Sequence, residues 1–267
     1  MNFIYGLNKS GVSIIKLLEK KNTLFKIWDD NKKVRQKFEK FYNIKTFVKP
    51  LKGNLKIFEN IYVTPGISIR QKKFNIQNSS KKIKRDLNIY IDNLENEKII
   101  AITGTNGKST TTKLVGEILK RKKIKTFIGG NIGEPLCNSF ITKKKYKYHV
   151  IELSSFQLET VKNLNSKISI ITNLSNDHTD RYNGISDYIK QKKNILTKKG
   201  FNLISIDDNY SNKIFNNIKN YNKISFSIFN DKADCFVNDN YIIDNYFSKN
   251  KINIKNISSD LQGNYNK

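Results

Sequence analysis

The stretch Ile99–Ser109, I-I-A-I-T-G-T-N-G-K-S, limits this chain more tightly than any other. Four apolar residues, Ile99–Ile102, have the length and bulk of a strand buried on both faces. They run into Thr103-Gly104-Thr105-Asn106-Gly107, a turn-rich loop, and Lys108-Ser109-Thr110 then open a helix. Strand, glycine loop and helix start in that order make a phosphate cradle. Backbone N–H groups face the anion, the glycines permit close approach, Lys108 neutralises the terminal phosphates and the Ser109 hydroxyl can ligate Mg2+. The general pattern G-x-x-x-x-G-K-[ST] is met except at position 102, where Ile stands for the first glycine. By itself the segment would also suit an ordinary strand–helix turn. The helix is expected to bury Leu114, Val115, Ile118 and Leu119 on one face and to end in Lys120-Arg121-Lys122-Lys123, matched to the negative end of its dipole.

Length and composition set the surroundings. The 267 residues suffice for two domains, and an α/β class follows from strands alternating with amphipathic helices. Two cysteines, Cys137 and Cys235, offer neither a disulfide framework nor a metal knuckle, which suits a reducing compartment. No apolar run approaches the ~20 residues of a membrane span, and the first residues lack a basic, then apolar, leader, so a cytoplasmic location is expected. There are 49 basic and 23 acidic residues, a net charge of +26. Such a balance raises nucleic acid as a partner. The lysines, however, are scattered along the chain among abundant Asn and Ile, with no basic tail or aromatic RNA-binding signature, so no specific nucleic acid is expected.

The N-terminal part begins with a strand at Phe3–Tyr5, the loop Gly6-Leu7-Asn8-Lys9-Ser10-Gly11, and a helix carrying Val12, Ile15, Leu17 and Leu18. A second strand, Leu24–Trp28, stops at Asp29-Asp30. This is a Rossmann-like opening, although Asn8 occupies the middle glycine of the dinucleotide fingerprint and argues against NAD. A strand at Ile61–Val63 ends in Thr64-Pro65-Gly66-Ile67. Arg70–Arg85 is basic and expected at the surface, Leu87–Ile91 is expected to be a last strand, and Asp92–Lys98 is the domain boundary. The expected units are thus residues 1–93 and 94–267.

Four strings downstream of the phosphate loop carry further chemistry. They are G-G-N-I-G-E-P-L from Gly129, E-L-S-S-F-Q-L-E from Glu152, N-L-S-N-D-H-T-D-R from Asn173, and the short helix Tyr188–Ile195. Glu152 closes a strand beside the phosphate loop, where nucleotide enzymes place a Mg2+ ligand. A lone histidine is commonly structural, yet His178 follows a parallel strand among Asp177, Asp180 and Arg181. Asp207-Asp208-Asn209 ends a later strand, Asn202–Ile206, and shorter strands are expected at Ile224–Phe226, Cys235–Val237, Tyr241–Ile243 and Ile252–Ile254.

Together with G-T-N-G-K-S-T, these strings resemble the Mur ligases, the amide-forming enzymes of peptidoglycan precursor synthesis, and most closely their D-glutamate-adding branch. The resemblance implies a Rossmann-like N-terminal domain followed by a P-loop ATP-binding α/β domain with a mostly parallel sheet. It implies ATP-dependent ligation of D-glutamate to UDP-N-acetylmuramoyl-L-alanine through an acyl phosphate. Gly104, Thr105, Asn106, Gly107, Lys108, Ser109, Thr110 and Asn266 would bind ATP. Lys9, Ser10, Asp29, Asp30, Gly66, Asn131, Ser154, Gln157 and Arg181 would bind the UDP-muramoyl substrate. Ser109 and Glu152 would hold one Mg2+ ion, and His178 with Lys192, carbamylated by CO2, a second. Lys108, His178 and Lys192 would be catalytic. Only the family spacing from Tyr188 selects Lys192 over Lys190 or Lys193. The final string, L-Q-G-N-Y-N-K, resembles a family motif with Tyr265 in place of His, and the family's third domain follows it. The chain is accordingly expected to be a monomer and a truncated or split member, weak in nucleotide binding and inactive without a separate C-terminal domain chain. Two neighbouring readings share part of the pattern. Another P-loop ATPase would need neither E-L-S-S-F-Q-L nor D-H-x-D-R, and a folate-polyglutamate-type ligase would lack the N-terminal UDP-type unit.

Overall fold

The computed structural model describes residues 1–51, 54–71, 74, 82–162, 164–178, 180–219 and 221–255. Its elements run β1 (Asn2–Tyr5), α1 (Lys9–Lys20), β2 (Phe25–Trp28), α2 (Lys32–Glu39), β3 (Asn60–Val63), β4 (Ile83–Lys84) and α3 (Asp86–Ile91). They continue as β5 (Lys98–Thr103), α4 (Lys108–Arg121), β6 (Thr126–Gly130), α5 (Asn138–Ile141), β7 (Tyr148–Glu152), α6 (Ser155–Leu158), β8 (Ile168–Ile171) and α7 (Ile185–Lys192). The last are β9 (Phe201–Ser205), α8 (Asn209–Asn217), β10 (Asn222–Ser227), β11 (Cys235–Asn238), β12 (Tyr241–Asp244) and β13 (Asn250–Asn253).

These strands form two sheets. The first, ordered β2-β1-β3-β4, is wholly parallel. The second is ordered β13-β12-β11-β10-β9-β8-β5-β7-β6, parallel from β6 through β11 and closed by two antiparallel pairings. The phosphate-loop strand β5 lies between β7 and β8, and Ile100, Ala101 and Ile102 are buried among Val150, Ile151, Ile170 and Ile171. Parallel strands covered on both faces read as unbroken apolar runs, which is why this segment was conspicuous. All the loops leaving the C-terminal ends of β5, β7, β8 and β9 gather on one edge, the usual ligand edge of such a sheet. Among the described residues no helix is long and apolar enough to cross a membrane.

Three local expectations are corrected. Leu87–Ile91 is helical, within α3, rather than a strand. Arg85 N–H donates to Asn88 Oδ1 at 2.8 Å and starts the turn. Leu87 and Tyr90 then enter the main core, whereas Ile89 joins the core under α1. Residues three apart sharing one core while residues two apart are split between two cores fits the helical period and not the alternation of a strand. Secondly, Arg70–Arg85 is not uniformly superficial, since Ile83 pairs with β3 and Arg85 is 0% exposed. Its guanidinium donates through Nη1 to the Val63, Thr64 and Ile67 carbonyls at 2.8–2.9 Å and pairs through Nη2 with Glu159. Thirdly, α4 does not bury its whole apolar set. Gly116 lets the helix settle on β6, where a Cβ would lie 2.2 Å from Ile128 Cδ1. That contact directs Val115 and Leu119 to the sheet and leaves Leu114 and Ile118 at 60% and 51% exposure.

Candidate active site

The phosphate loop is held from below and from one side. Gly104 takes φ +156°, and a Cβ there would stand 1.9 Å from Thr172 Oγ1. Thr105 N–H donates to the Asn173 carbonyl and Asn106 N–H to Asn173 Oδ1, both at 2.9 Å, while Thr172 Oγ1 donates to the Asn106 carbonyl at 2.7 Å. The loop between β8 and α7 therefore fixes the shape of the cradle. Gly107 begins α4 in the left-handed region at φ +77°, and no side chain caps that helix. Its first N–H groups are thus available to an anion, at the positive end of a helix 14 residues long.

Five side chains meet at this helix start. Ser109 Oγ donates to Glu152 Oε2 at 2.8 Å, and Asn131 Nδ2 donates to Glu152 Oε1 at 3.0 Å. Glu152 is 1% exposed at the end of β7, so both carboxylate oxygens are oriented before any ligand arrives. Lys108 Nζ folds back on the Thr105 carbonyl at 2.7 Å, and burial holds its pKa below the ordinary value, against the pull of Glu152 and Asp177. Lys192, 2% exposed, reaches under the loop from the end of α7 and donates to Gly104 O and to Thr103 Oγ1, the latter at 3.1 Å. Its burial, and secondarily Lys108, lower the amine to about 7 in spite of Asp177 and Glu152.

His178 lies at the rim, exposed and in the left-handed region at φ +53°. Its ring packs 4.7 Å from Phe156 and its Nε2 lies 3.5 Å from Asp177 Oδ2. Arg181 lays its guanidinium 3.9 Å over the Phe156 ring and donates to the Ile67 carbonyl at 2.8 Å. The β8–α7 loop thus ties the Thr64–Ile67 turn, with exposed Gly66, to the central sheet. The other histidine, His149, shares a 2.7 Å hydrogen bond with Tyr90 inside an aromatic cluster, and burial lowers it to about 4. It is a neutral core residue.

In the N-terminal unit, Lys9 is exposed and Ser10 half-buried in the first turn of α1, which Asn8 caps through Gly11 N–H. Asp29 Oδ2 accepts from Leu7 N–H at 2.8 Å and so pins that loop to the end of β2. Asp30 accepts from the Tyr5 hydroxyl and, at 3.0 Å, from Trp28 Nε1. Arg35 stacks 4.3 Å over the Trp28 ring beside them. Ser154 and Gln157 form a reciprocal cap at the start of α6, but Gln157 is buried with its carboxamide turned to Asp86, so it supports the site from behind. Asn266 lies outside the described residues.

The sequence reading assigned no role to Asn173, although its string contained it, nor to Arg85 and Asp86, which sit in an undistinguished basic segment. It also gave no sign of a cleft of about 750 Å³ beside the loop. The cleft is bounded by Asn106, Thr110, Asn173, Asp207, Phe226 and Phe229, at the ends of β8, β9 and β10. Among the described residues no three His, Cys, Asp or Glu side chains cluster as a metal site. The donor set Ser109–Glu152 is nonetheless hard oxygen, held at a helix start, and suits a Mg2+ ion that completes its shell with phosphate and water. A protonated Lys192 cannot ligate a cation. Only its neutral amine, after addition of CO2, would supply oxygen donors.

The family profile described as the Mur ligase middle domain matches residues 102–267. UDP-N-acetylmuramoylalanine–D-glutamate ligase of Rickettsia bellii (strain RML369-C) is 33% identical, across 98% of this chain and 59% of its own length. The like-named protein of Wolbachia pipientis wMel is 33% identical across 80% and 42%. The chain spans about half the length of the curated relatives it matches. Among solved structures, a UDP-N-acetylmuramate:L-alanyl-gamma-D-glutamyl-meso-diaminopimelate ligase from Neisseria meningitides aligns with a TM-score of 0.59 at 12% identity, over 99% of this chain and 89% of that one. A UDP-N-acetylmuramoyl-L-alanyl-D-glutamate–2,6-diaminopimelate ligase aligns at 0.52 and 19%, over 78% and 48%. At these identities the structural matches speak for the α/β fold.

Proposed function

Because the chain belongs to the Mur ligase family, we propose that its site serves the ATP-dependent joining of D-glutamate to UDP-N-acetylmuramoyl-L-alanine in peptidoglycan precursor synthesis. The observation that carries this reading is the convergence of Lys108, Ser109, Asn131, Glu152 and Lys192 on one helix start, inside the strings that resemble the D-glutamate-adding branch. ATP phosphates occupy the loop Gly104–Thr110, with the nucleoside in the adjoining cleft. The Lys108 ammonium faces the transferring phosphoryl group and stabilises the charge spread over its oxygens. The substrate carboxylate attacks the γ-phosphorus, ADP leaves, and the amine of D-glutamate displaces phosphate from the resulting acyl phosphate.

Ser109 and Glu152 would hold one Mg2+ ion, and His178 with Lys192, once carbamylated, would hold a second. Bound Mg2+ lowers the electrostatic cost of bringing the substrate carboxylate to the polyphosphate. The lowered amine of Lys192 leaves a neutral nitrogen near physiological pH, which CO2 requires. Lys9 and Ser10 face the pyrophosphate, Asp29 and Asp30 shape the uridine end, Gly66 lies along the path between them and the loop, and Asn131, Ser154 and Arg181 line the muramoyl side. The protein acts in the cytoplasm, with residues 1–93 as the UDP-substrate unit and 94 onward as the ATP unit.

Phosphate release from ATP tests the proposal, with UDP-N-acetylmuramoyl-L-alanine and D-glutamate present, using the chain alone and with the C-terminal portion of a curated relative added. Release that needs both substrates and is lost in Lys108→Ala supports it. No release in either mixture, together with tight, steeply salt-dependent RNA binding, overturns it in favour of the charge argument.

A further inference from the structure

Beyond the nucleotide site, the buried polar atoms converge on one carboxylate. Asp86, the first residue of α3, is 1% exposed. Its Oδ2 accepts from Gln157 Nε2 at 2.9 Å and its Oδ1 from Leu87 N–H at 3.0 Å. Burial pushes the carboxyl up, and the bonds from Gln157 and Leu87, with Arg85 and the neighbouring Ser10 hydroxyl, offset that push. Gln157 passes the connection on, because its Oε1 accepts from both the N–H and the hydroxyl of Ser154 at 3.1 Å. The result is a chain of fixed direction, from Ser154 to Gln157 to Asp86, met from the other side by Ser10. One end lies in the first turn of α1 and the other two residues past Glu152. The two ends belong to different sheets.

A bolt meant only to fasten two domains would not need this chemistry, since apolar side chains of similar size do so without desolvating a carboxylate. What hydrogen bonds add is direction and distance. A carboxylate only accepts, and a carboxamide has one donating and one accepting end, so a single arrangement satisfies every atom. The neighbouring bonds share the same task. Arg85 fixes the Thr64–Ile67 turn to Glu159, and Asn88 Nδ2 donates to the Thr160 carbonyl at 3.2 Å.

We propose that Asp86 is a positioning residue that sets the Ser10 loop of the first sheet against the Ser154 loop of the second, so that a ligand with a uridine diphosphate at one end and a carboxylate at the other is held across both. This rests on the functional reading above. Asp86 touches no substrate. It acts through Ser10 and Gln157.

The direction of the chain supplies the test. Asp86→Asn places an amide donor against the Gln157 donor. The double variant Asp86→Asn/Gln157→Glu exchanges the two groups and restores donor against acceptor with almost unchanged shape. Titration calorimetry on the full chain compares three probes: UDP-N-acetylmuramoyl-L-alanine, which reaches both loops, UDP, which reaches one, and Mg-ADP at the phosphate loop. Asp86→Asn is expected to weaken the long ligand tenfold or more and to leave UDP and Mg-ADP within twofold. The double variant is expected to return the long ligand to within threefold of the parent. Equal weakening of all three probes, unchanged affinity for the long ligand, or no recovery in the double variant overturns the inference. Should Asp86→Asn not fold, Gln157→Glu alone breaks the same bond from the other side and is read in the same way. A parent chain that binds neither UDP nor the long ligand removes the functional reading and this inference with it. A parent that binds both, beside an indifferent Asp86→Asn, removes this inference alone.

Discussion

Lys192 offers the sharpest physical prediction, because a buried amine lowered to about 7 leaves a thermodynamic trace independent of any ligand. Over the interval from about 7 to the ordinary 10.5, the unfolded chain carries a proton at this position and the folded chain does not. Stability therefore rises with pH across that window, is flat above it, and is at its lowest below it. At ~1.36 kcal/mol per pH unit the interval sets a ceiling of ~5 kcal/mol. Relaxation around Gly104 and Thr103 and the mutual influence of Lys108 reduce this, so a change of ~2–4 kcal/mol is expected between pH 6 and pH 10. The perturbation is Lys192→Met, of similar length and without charge. The assay is urea unfolding of parent and variant at a series of pH values in CO2-free buffer, taking the difference so that other titrating groups cancel. The parent should gain on the variant steadily from pH 7 to pH 10. Bicarbonate added near pH 8 should stabilise the parent and leave the variant unmoved, because CO2 binds only the folded neutral amine. A difference flat to about 0.5 kcal/mol over the whole range would show that the amine stays protonated, and would refute the account of how it takes up CO2.

Further outcomes follow from other contacts. Gly104→Ala sets a Cβ against Thr172 Oγ1 at a φ that L residues avoid, so it should cost ~1–3 kcal/mol in urea unfolding and abolish Mg-ADP binding. Arg85→Met leaves Glu159 buried without its partner and should cost ~3–5 kcal/mol, whereas Arg85→Met/Glu159→Leu should recover much of it, as thermal unfolding would register. Ser109→Ala should weaken Mg-ADP several-fold while leaving metal-free ADP nearly unchanged, measured by calorimetry with and without Mg2+. Trp28, the only tryptophan in the chain, should change its fluorescence on UDP addition, and Arg35→Ala should diminish that change.

How far the sequence reached is clear from particular residues. Ile99–Ser109 was legible because a strand buried on both faces and a glycine loop each leave a local pattern. Glu152 and His178 stood out because one ends a strand of the same kind and the other sits in the loop that leaves the next such strand, β8. α3 was not, since L-N-I-Y-I alternates like a strand, and only its position between two cores makes it a helix. Leu114 and Ile118 illustrate a similar limit, in that helical spacing marks an apolar face but Gly116 decides how the helix lies on the sheet. Arg85 and Asp86 left no trace because their partners, Glu159 and Gln157, are more than 70 residues away in sequence. The cleft beside the phosphate loop arises from the ends of three strands and belongs to no single stretch.

The measurement that bears most directly on the central claim is calorimetric titration of the parent chain and Lys108→Ala with Mg-ATP and, separately, with UDP-N-acetylmuramoyl-L-alanine. The account predicts that the parent binds both, that Mg-ATP binding is lost in Lys108→Ala, and that the uridine ligand binds the variant as it does the parent. A parent chain that binds neither, or a Lys108→Ala variant that still binds Mg-ATP with parental affinity, would contradict it.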